Sequence, residues 1–317
     1  MSHIELREVG LDDAPWIAGL LTRCRPADPV DPRVLRHQWA TMRVSWWQWR
    51  SAVVVGDDPV GLATASHPPW ALEPERMGRW NLSLLPAVTG LADEVIAGVE
   101  ARLRDEGSRA LSAGAYEDEG WLLGALGRRR YRREGLDREW ELDLLVHRDR
   151  LLAMAAACRA RMADQGIRLV TLDRVQDQPG LWARLTAFYA EAGEDVPQIN
   201  PYHPMTEDEV RAELGGPDVR ADRVWLALVG QEVAGLSQLS YPPVRGPSWT
   251  AFTGTARAFR GRGIAQAVKL ESLAQAIELG VERLRTSNDA RNEAMLHIND
   301  RLGYVALPSW VMHVREL

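Results

Sequence analysis

Lysine is almost missing from this 317-residue sequence: Lys269 is the single one, and arginine carries the rest of the positive charge. Cysteine is nearly as scarce, with Cys24 and Cys158 far apart and lacking the close Cys or His spacing that a zinc site or a redox pair requires. Both are read as reduced, buried, small apolar residues, and no metal is expected. No apolar run approaches the roughly 18 residues of a membrane span. The first residues, MSHIELREVGLDDA, bring charge where a signal peptide places its apolar core. The expectation is a soluble cytoplasmic protein. A net charge of -6 and a pI near 5.7 give no general attraction to polyanions, which argues against nucleic acid as a partner.

What is present is an ordinary share of apolar residues and an unusual number of tryptophans. Hydrophobic residues make up 46% of the chain, enough to fill two cores of roughly 150 residues each, so two domains are expected. The 13 tryptophans include a group at Trp39, Trp46, Trp47 and Trp49. Core and interdomain packing is the ordinary use of such side chains, and an aromatic wall for an apolar or cationic ligand is the sharper alternative.

Periodicity orders the elements. IELREV alternates as a strand, Asp12-Asp13 opens a helix, and a second helix starts at Asp31-Pro32. WRSAVVVG and Val60 to Ala65 form a hairpin about Asp57-Asp58-Pro59, followed by a strand at Arg79 to Leu85 and a helix from about Leu91 to Glu106. A strand at Arg109 to Ala115, a helix around Trp121 to Leu126 and the alternating REWELDLL close the first half. Arg148 to Asp164 reads as a connecting helix with a mostly polar face. The same order then begins again: strand IRLVTLDRV, helices at Pro179 to Ala192 and Glu207 to Leu214, and a hairpin turning at Val229-Gly230-Gln231. A period near 160 residues indicates a duplicated fold, since solenoid repeats are far shorter.

The chemistry is written between Thr250 and Tyr304. Arg260-Gly261-Arg262-Gly263-Ile264-Ala265 links a strand, Trp249 to Thr255, to a helix that starts at Ile264. A glycine-rich turn at a helix N-terminus offers several unpaired N–H groups to one anion, and a diphosphate fits that offer. Glycine at 261 and 263 lets phosphate oxygens reach the backbone, while Arg260 and Arg262 can add charge-assisted bonds. After it come a strand at Arg283 to Ser287, Asn288 and Asn292, a helix with Met295, Ile298 and Leu302 on one face, and Leu302-Gly303-Tyr304.

This order resembles the GNAT superfamily of acyl-CoA N-acyltransferases, whose pyrophosphate loop reads R/Q-x-x-G-x-G/A. The resemblance implies two GNAT-like α/β (α+β) domains, each a twisted, mixed but mainly antiparallel sheet flanked by helices. The expected division is a degenerate domain at 1–147, a connecting helix at 148–164 and a donor-binding domain at 165–317. It implies that acetyl-CoA is the acyl donor, held by Thr253, Gly254, Thr255, Arg260 to Ala265, Asn288 and Asn292. An amide near Thr253 or Gly254 would polarise the thioester carbonyl. Helix capping is the alternative role of the two asparagines.

One position departs from the family. Asn299 stands where many members carry the tyrosine that protonates the leaving thiolate, and an amide cannot do so. Water, Tyr304 or another residue would then help the thiolate leave, and Asp195 and His203, in the loop before the second short helix, are the expected bases. Their ordinary roles would be a turn residue and a solvated histidine. The first half has no arginine in its corresponding turn and carries Asp93-Glu94 in the next helix, which repels a diphosphate. That half is expected to complete the acceptor pocket or an interface, with Trp39, Trp46, Trp47 and Trp70 as lining. The resulting expectation is an N-acetyltransferase acting by direct attack of a small-molecule amine, as a monomer or homodimer. A protein amine acetyltransferase and a non-catalytic acyl-CoA sensor are the alternatives.

Overall fold

A computed structural model describes residues 4–197 and 199–317. The first half comprises β1 (Ile4–Glu8), α1 (Ala14–Cys24), α2 (Pro32–Thr41), β2 (Trp47–Val55), β3 (Asp58–His67), β4 (Met77–Leu84), α3 (Ala92–Asp105), β5 (Ala110–Tyr116), α4 (Gly120–Arg128) and β6 (Arg132–Asp143). Next come α5 (Arg148–Asp164), β7 (Arg168–Thr171), α6 (Leu181–Glu194), α7 (Glu207–Leu214), β8 (Val224–Val229), β9 (Glu232–Ser240) and β10 (Ser248–Thr255). The chain ends with α8 (Ile264–Glu278), β11 (Arg283–Asp289), α9 (Glu293–Leu302), β12 (Val305–Ala306) and β13 (Trp310–Glu316).

Local chemistry sets the helix starts. Asp31 caps α2 by accepting from Arg33 N at 2.8 Å and Val34 N at 3.2 Å, with Pro32 pre-set in the first turn. Thr206 and Glu209 close a reciprocal capping box on α7. Asn292 accepts from Met295 N at 3.3 Å to start α9, and Gly303, at φ 92°, ends it.

The strands of the described residues join one mixed sheet in the order β1-β2-β3-β4-β5-β13-β6-β11-β10-β9-β8-β7, with the two-residue β12 pairing beside β6. The two halves exchange their last strands. β13, from the end of the chain, lies antiparallel to β5 of the first half, and β6 lies antiparallel to β11 of the second. β6 and β13 also pair with each other, so the sheet runs unbroken from one half to the other. Packing follows the exchange: Leu142 of β6 joins Leu151, Ala155 and Met162 of α5 and Leu270 and Leu273 of α8 in one core. The first half has its own core around Trp80, Ile96, Leu103 and Leu126.

Helix α5 is more than a polar connector. It lies along α8 and buries Leu151, Ala155, Cys158 and Met162, while its other face stays wet. Cys158 is buried as expected; Cys24 is only partly covered. No helix among the described residues is long and apolar enough to cross a membrane.

Candidate active site

Strands β10 and β11 run parallel but pair only at Ser248 with Leu284 and Trp249 with Arg285. Beyond Trp249 they part. A bulge at Ala251, where the register with β9 slips between Thr250 and Phe252, bends β10 away. The β11-facing edge of β10 from Thr250 to Thr255 is therefore open to a gap in the sheet.

The turn after β10 supplies one end of that gap. Gly261 and Gly263 both take left-handed conformations, φ 74° and 79°, which side-chain-bearing residues rarely adopt. Gly263 is also the N-cap of α8, so the turn leads straight into the first-turn amides of the helix, where an anion is favoured. A Cβ at Gly261 meets nothing within 4 Å, whereas one at Gly263 would lie 2.9 Å from Arg161 Nη2. Arg161 of α5 thus adds a cation that the sequence motif did not reveal.

A cavity of ≈ 480 Å³ opens at this turn. Thr253, Gly254, Thr255, Arg260, Gly261, Gly263, Ile264, Ala265 and Asn292 all line it, together with Met295, His297, Ile298 and Arg301 of α9. Two expected donor-binding residues point elsewhere. Arg262 turns back to α5, donating to Gln165 Oε1 at 3.1 Å and to its carbonyl at 3.3 Å. Asn288 accepts from Asn299 Nδ2 at 2.6 Å and lines a second cavity, deeper in the gap. Asn292 combines both of its expected roles, capping α9 and lining both cavities.

The expected proton carriers fit their roles poorly. Asp195 lines the large cavity but accepts from Arg257 at 2.7 Å and from Arg260, and these guanidiniums hold its carboxyl down at about 2. A carboxylate so held takes up protons poorly at neutral pH; it clamps the loop instead. His203 meets Glu73 Oε2 at 2.9 Å and packs edge-on to Trp46 at 5.4 Å, against the first half. Tyr304 is buried, and burial pushes its hydroxyl far above the usual phenol range; it lines neither cavity of the gap.

The second cavity, of ≈ 210 Å³, holds what the motif did not show. Its wall includes Asp137, contributed by the exchanged strand β6, and Lys269 of α8. Asp137 makes no ion pair among the described residues; burial, then the nearby Asp289 charge, raises its carboxyl above the ordinary value. Lys269 is fully buried, and burial pushes its ammonium down to about 7. It lies on a helix most of whose residues from Ile264 to Ile277 are buried, and its being the single lysine of the chain was the available sequence signal.

Thr250, Ala251 and Ser287 carry this cavity on into a cleft of ≈ 390 Å³ between the halves, which also meets Asp31, Glu213 and Asp218. Gln38, Met42 and Glu213 in turn lead to a ≈ 360 Å³ cavity walled by Trp39, Trp46, Trp49, Arg43, Arg50 and Arg79. Trp47 and Trp70 do not line it; they stack on the two faces of His67 at 5.1 and 3.8 Å. In the first half the turn corresponding to the glycine loop is a 3-10 helix, Pro86–Leu91, and Asp93 after it pairs with Arg128 at 2.6 Å. Among the described residues, no group of His, Cys, Asp and Glu is arranged to hold a metal.

Neither a family model nor a curated protein sequence matches the chain. Solved structures do. A tandem GNAT protein from the clavulanic acid biosynthesis pathway superposes with a TM-score of 0.72 at 17% identity, covering 99% of this chain and 98% of its own. A GCN5-related N-acetyltransferase from Sphaerobacter thermophilus gives 0.67 at 17% identity, with 99% and 95% covered. FemX gives 0.56 at 11% identity, with 99% and 97% covered. At these identities the likeness speaks for architecture: the exchanged sheet, the parted strands and the glycine turn belong to a chain with the tandem GNAT fold.

Proposed function

We propose that the second half binds an acyl-CoA, with acetyl-CoA as the donor, and passes its acyl group to a primary amine of a small molecule held between the halves. The observation that carries this reading is the continuity of the anion-binding turn at Gly261 and Gly263 with the gap between β10 and β11. A diphosphate fits the turn because two glycines leave the amides bare, with Arg260 and Arg161 nearby. The open edge of β10 supplies amide partners for an extended arm, much as a strand would. The donor supplies an activated thioester; an amide near Thr253 or Gly254 stabilises the oxyanion, typically by a few kcal/mol.

The acceptor enters from the opposite side, through the cleft where Glu213 and Asp218 favour a cationic group and Trp39 and Trp46 favour an apolar one. Asp137 lines the gap and makes no ion pair among the described residues, which suits it to take the proton from the attacking amine. Thiol release from acetyl-CoA across a panel of amino sugars, polyamines and amino acids tests this reading. Binding of acetyl-CoA with no thiol release across the panel and a peptide set would replace it with the acyl-CoA sensor, the reading that Asn299 favours.

A further inference from the structure

Lys269 is an expensive residue. It is the only lysine of the chain and sits fully buried on the helix that begins at the anion-binding turn. An ammonium has three N–H donors, yet Asn299 Oδ1, at 2.9 Å, is the one acceptor it meets among the described residues, and no carboxylate pairs with it. The Asn299 amide is oriented for this contact because its Nδ2 donates to Asn288 Oδ1 at 2.6 Å. Tyr304 offers only its ring face, 4.9 Å from Nζ. The remaining direction is the ≈ 210 Å³ cavity, whose wall Lys269 joins.

Position gives this arrangement a meaning. The cavity shares Phe252, Thr253, Asn292 and Met295 with the larger donor cavity, so Lys269 stands at the inner end of the proposed donor path. Its hydrogen-bond partner occupies the place where the resembling family carries a tyrosine acid. We propose that Lys269 is the proton donor to the departing thiol, with Asn299 and Asn288 as the pair that positions it. This rests on the donor-binding reading above.

The step balances without another reactant. As the amine nitrogen bonds to the acyl carbon and the C–S bond breaks, the sulfur leaves with the bonding electrons and takes the Lys269 Nζ proton. The proton shed by the nitrogen passes to Asp137 across the cavity. Both groups reset by exchange with solvent once the products leave. The depressed ammonium suits the task, because a donor near neutrality gives its proton readily and regains it. The other charged groups bearing on Nζ are few. Asp137 and Asp289 line the same cavity, Asp289 being held by Arg291 at 2.7 Å, and Glu271 of α8 faces α5 and pairs with Arg159.

A single lysine makes the test direct. Full-length protein labelled with ¹³C at lysine Cε should give one resonance, titrating near neutrality. Coenzyme A should move its midpoint down by about half a unit or more, because the thiol, the weaker acid of the two, donates a hydrogen bond to the neutral amine. Desulfo-coenzyme A should bind and leave the midpoint in place. Equal shifts with both ligands, or no shift while calorimetry shows coenzyme A bound, would overturn the assignment of Lys269 alone. Failure of coenzyme A to bind at all would overturn the donor reading beneath it. Lys269→Met should keep acetyl-CoA affinity and slow thiol release about tenfold or more, with less loss for thioesters of more acidic thiols. Equal loss for both donors would also count against the proposal.

Discussion

Asp137 of β6 stands directly opposite Asp289 of β11 in the antiparallel register that joins the two halves. Asp289 pairs with Arg291 at 2.7 Å, whereas Asp137 makes no ion pair among the described residues. The half without a glycine turn thus places a carboxylate on the wall of the gap between β10 and β11. Burial first, and the Asp289 charge second, raise the Asp137 pKa. A raised folded-state pKa contributes stability below the unfolded value, lost as pH rises through the folded one. Asp137→Asn should therefore raise the melting temperature at neutral pH and lose that advantage in acid. The gain should be on the order of 1 kcal/mol or less, because the group is partly exposed. If Asp137 is the base, the same variant should lower acyl transfer about a hundredfold at unchanged acetyl-CoA affinity.

The strand exchange predicts that neither half folds alone. Residues 1–147 without β13 would leave the inner edge of β5 bare, and residues 148–317 without β6 would bare β11. Arg315 of β13 also pairs with Glu100 of α3 at 2.9 Å, and Glu100 is nearly inaccessible, so separation leaves a buried carboxylate short of a partner. Each half expressed alone should be aggregated or unfolded by circular dichroism and gel filtration. Co-expression should restore a soluble complex of the two.

Gly263→Glu should abolish acetyl-CoA binding, because the residue has φ 79°, its Cβ would press on Arg161, and the new charge would repel a diphosphate. Gly90→Glu, in the matching turn of the first half, adds a Cβ with nothing within 4 Å and should leave affinity unchanged. Calorimetry on the two variants reads both outcomes. Unchanged affinity in Gly263→Glu would remove the turn from the site.

Lys269 should leave a mark on stability as a function of pH. Burial lowers its pKa from 10.5 to about 7, so between those values the unfolded chain binds a proton that the folded chain lacks. Stability contributed by this position rises with pH across that window, by at most about 1.4 kcal/mol per unit. Lys269→Met should therefore be more stable than the parent near neutral pH, and the difference should shrink as pH approaches the lysine range. Urea unfolding at the two ends of the window measures it.

The sequence carried the order of elements, because capping residues, glycine stops and alternation act locally: Asp31-Pro32, Thr206 with Glu209, and Gly303 each mark a real helix end. It also carried the anion turn, since glycine takes the two left-handed positions far more readily than other residues. It did not carry the strand exchange. REWELDLL alternates as a strand whichever neighbour it pairs with, and nothing local names β11 as its partner. Side-chain direction was equally hidden: Arg262 sits inside the motif yet serves Gln165, and Asp195 sits in an acceptor-like loop yet serves Arg257 and Arg260. Lys269 was legible only as the single lysine of the chain; Glu271, Glu278 and two glutamines share its helix, and its partner Asn299 lies 30 residues on.

Calorimetric titration of the whole chain with acetyl-CoA, read for stoichiometry as well as affinity, tests the central claim most directly. The account predicts one site per chain, formed by the second half. Two sites would contradict the reading of the first half as silent, and no binding would contradict the donor site itself.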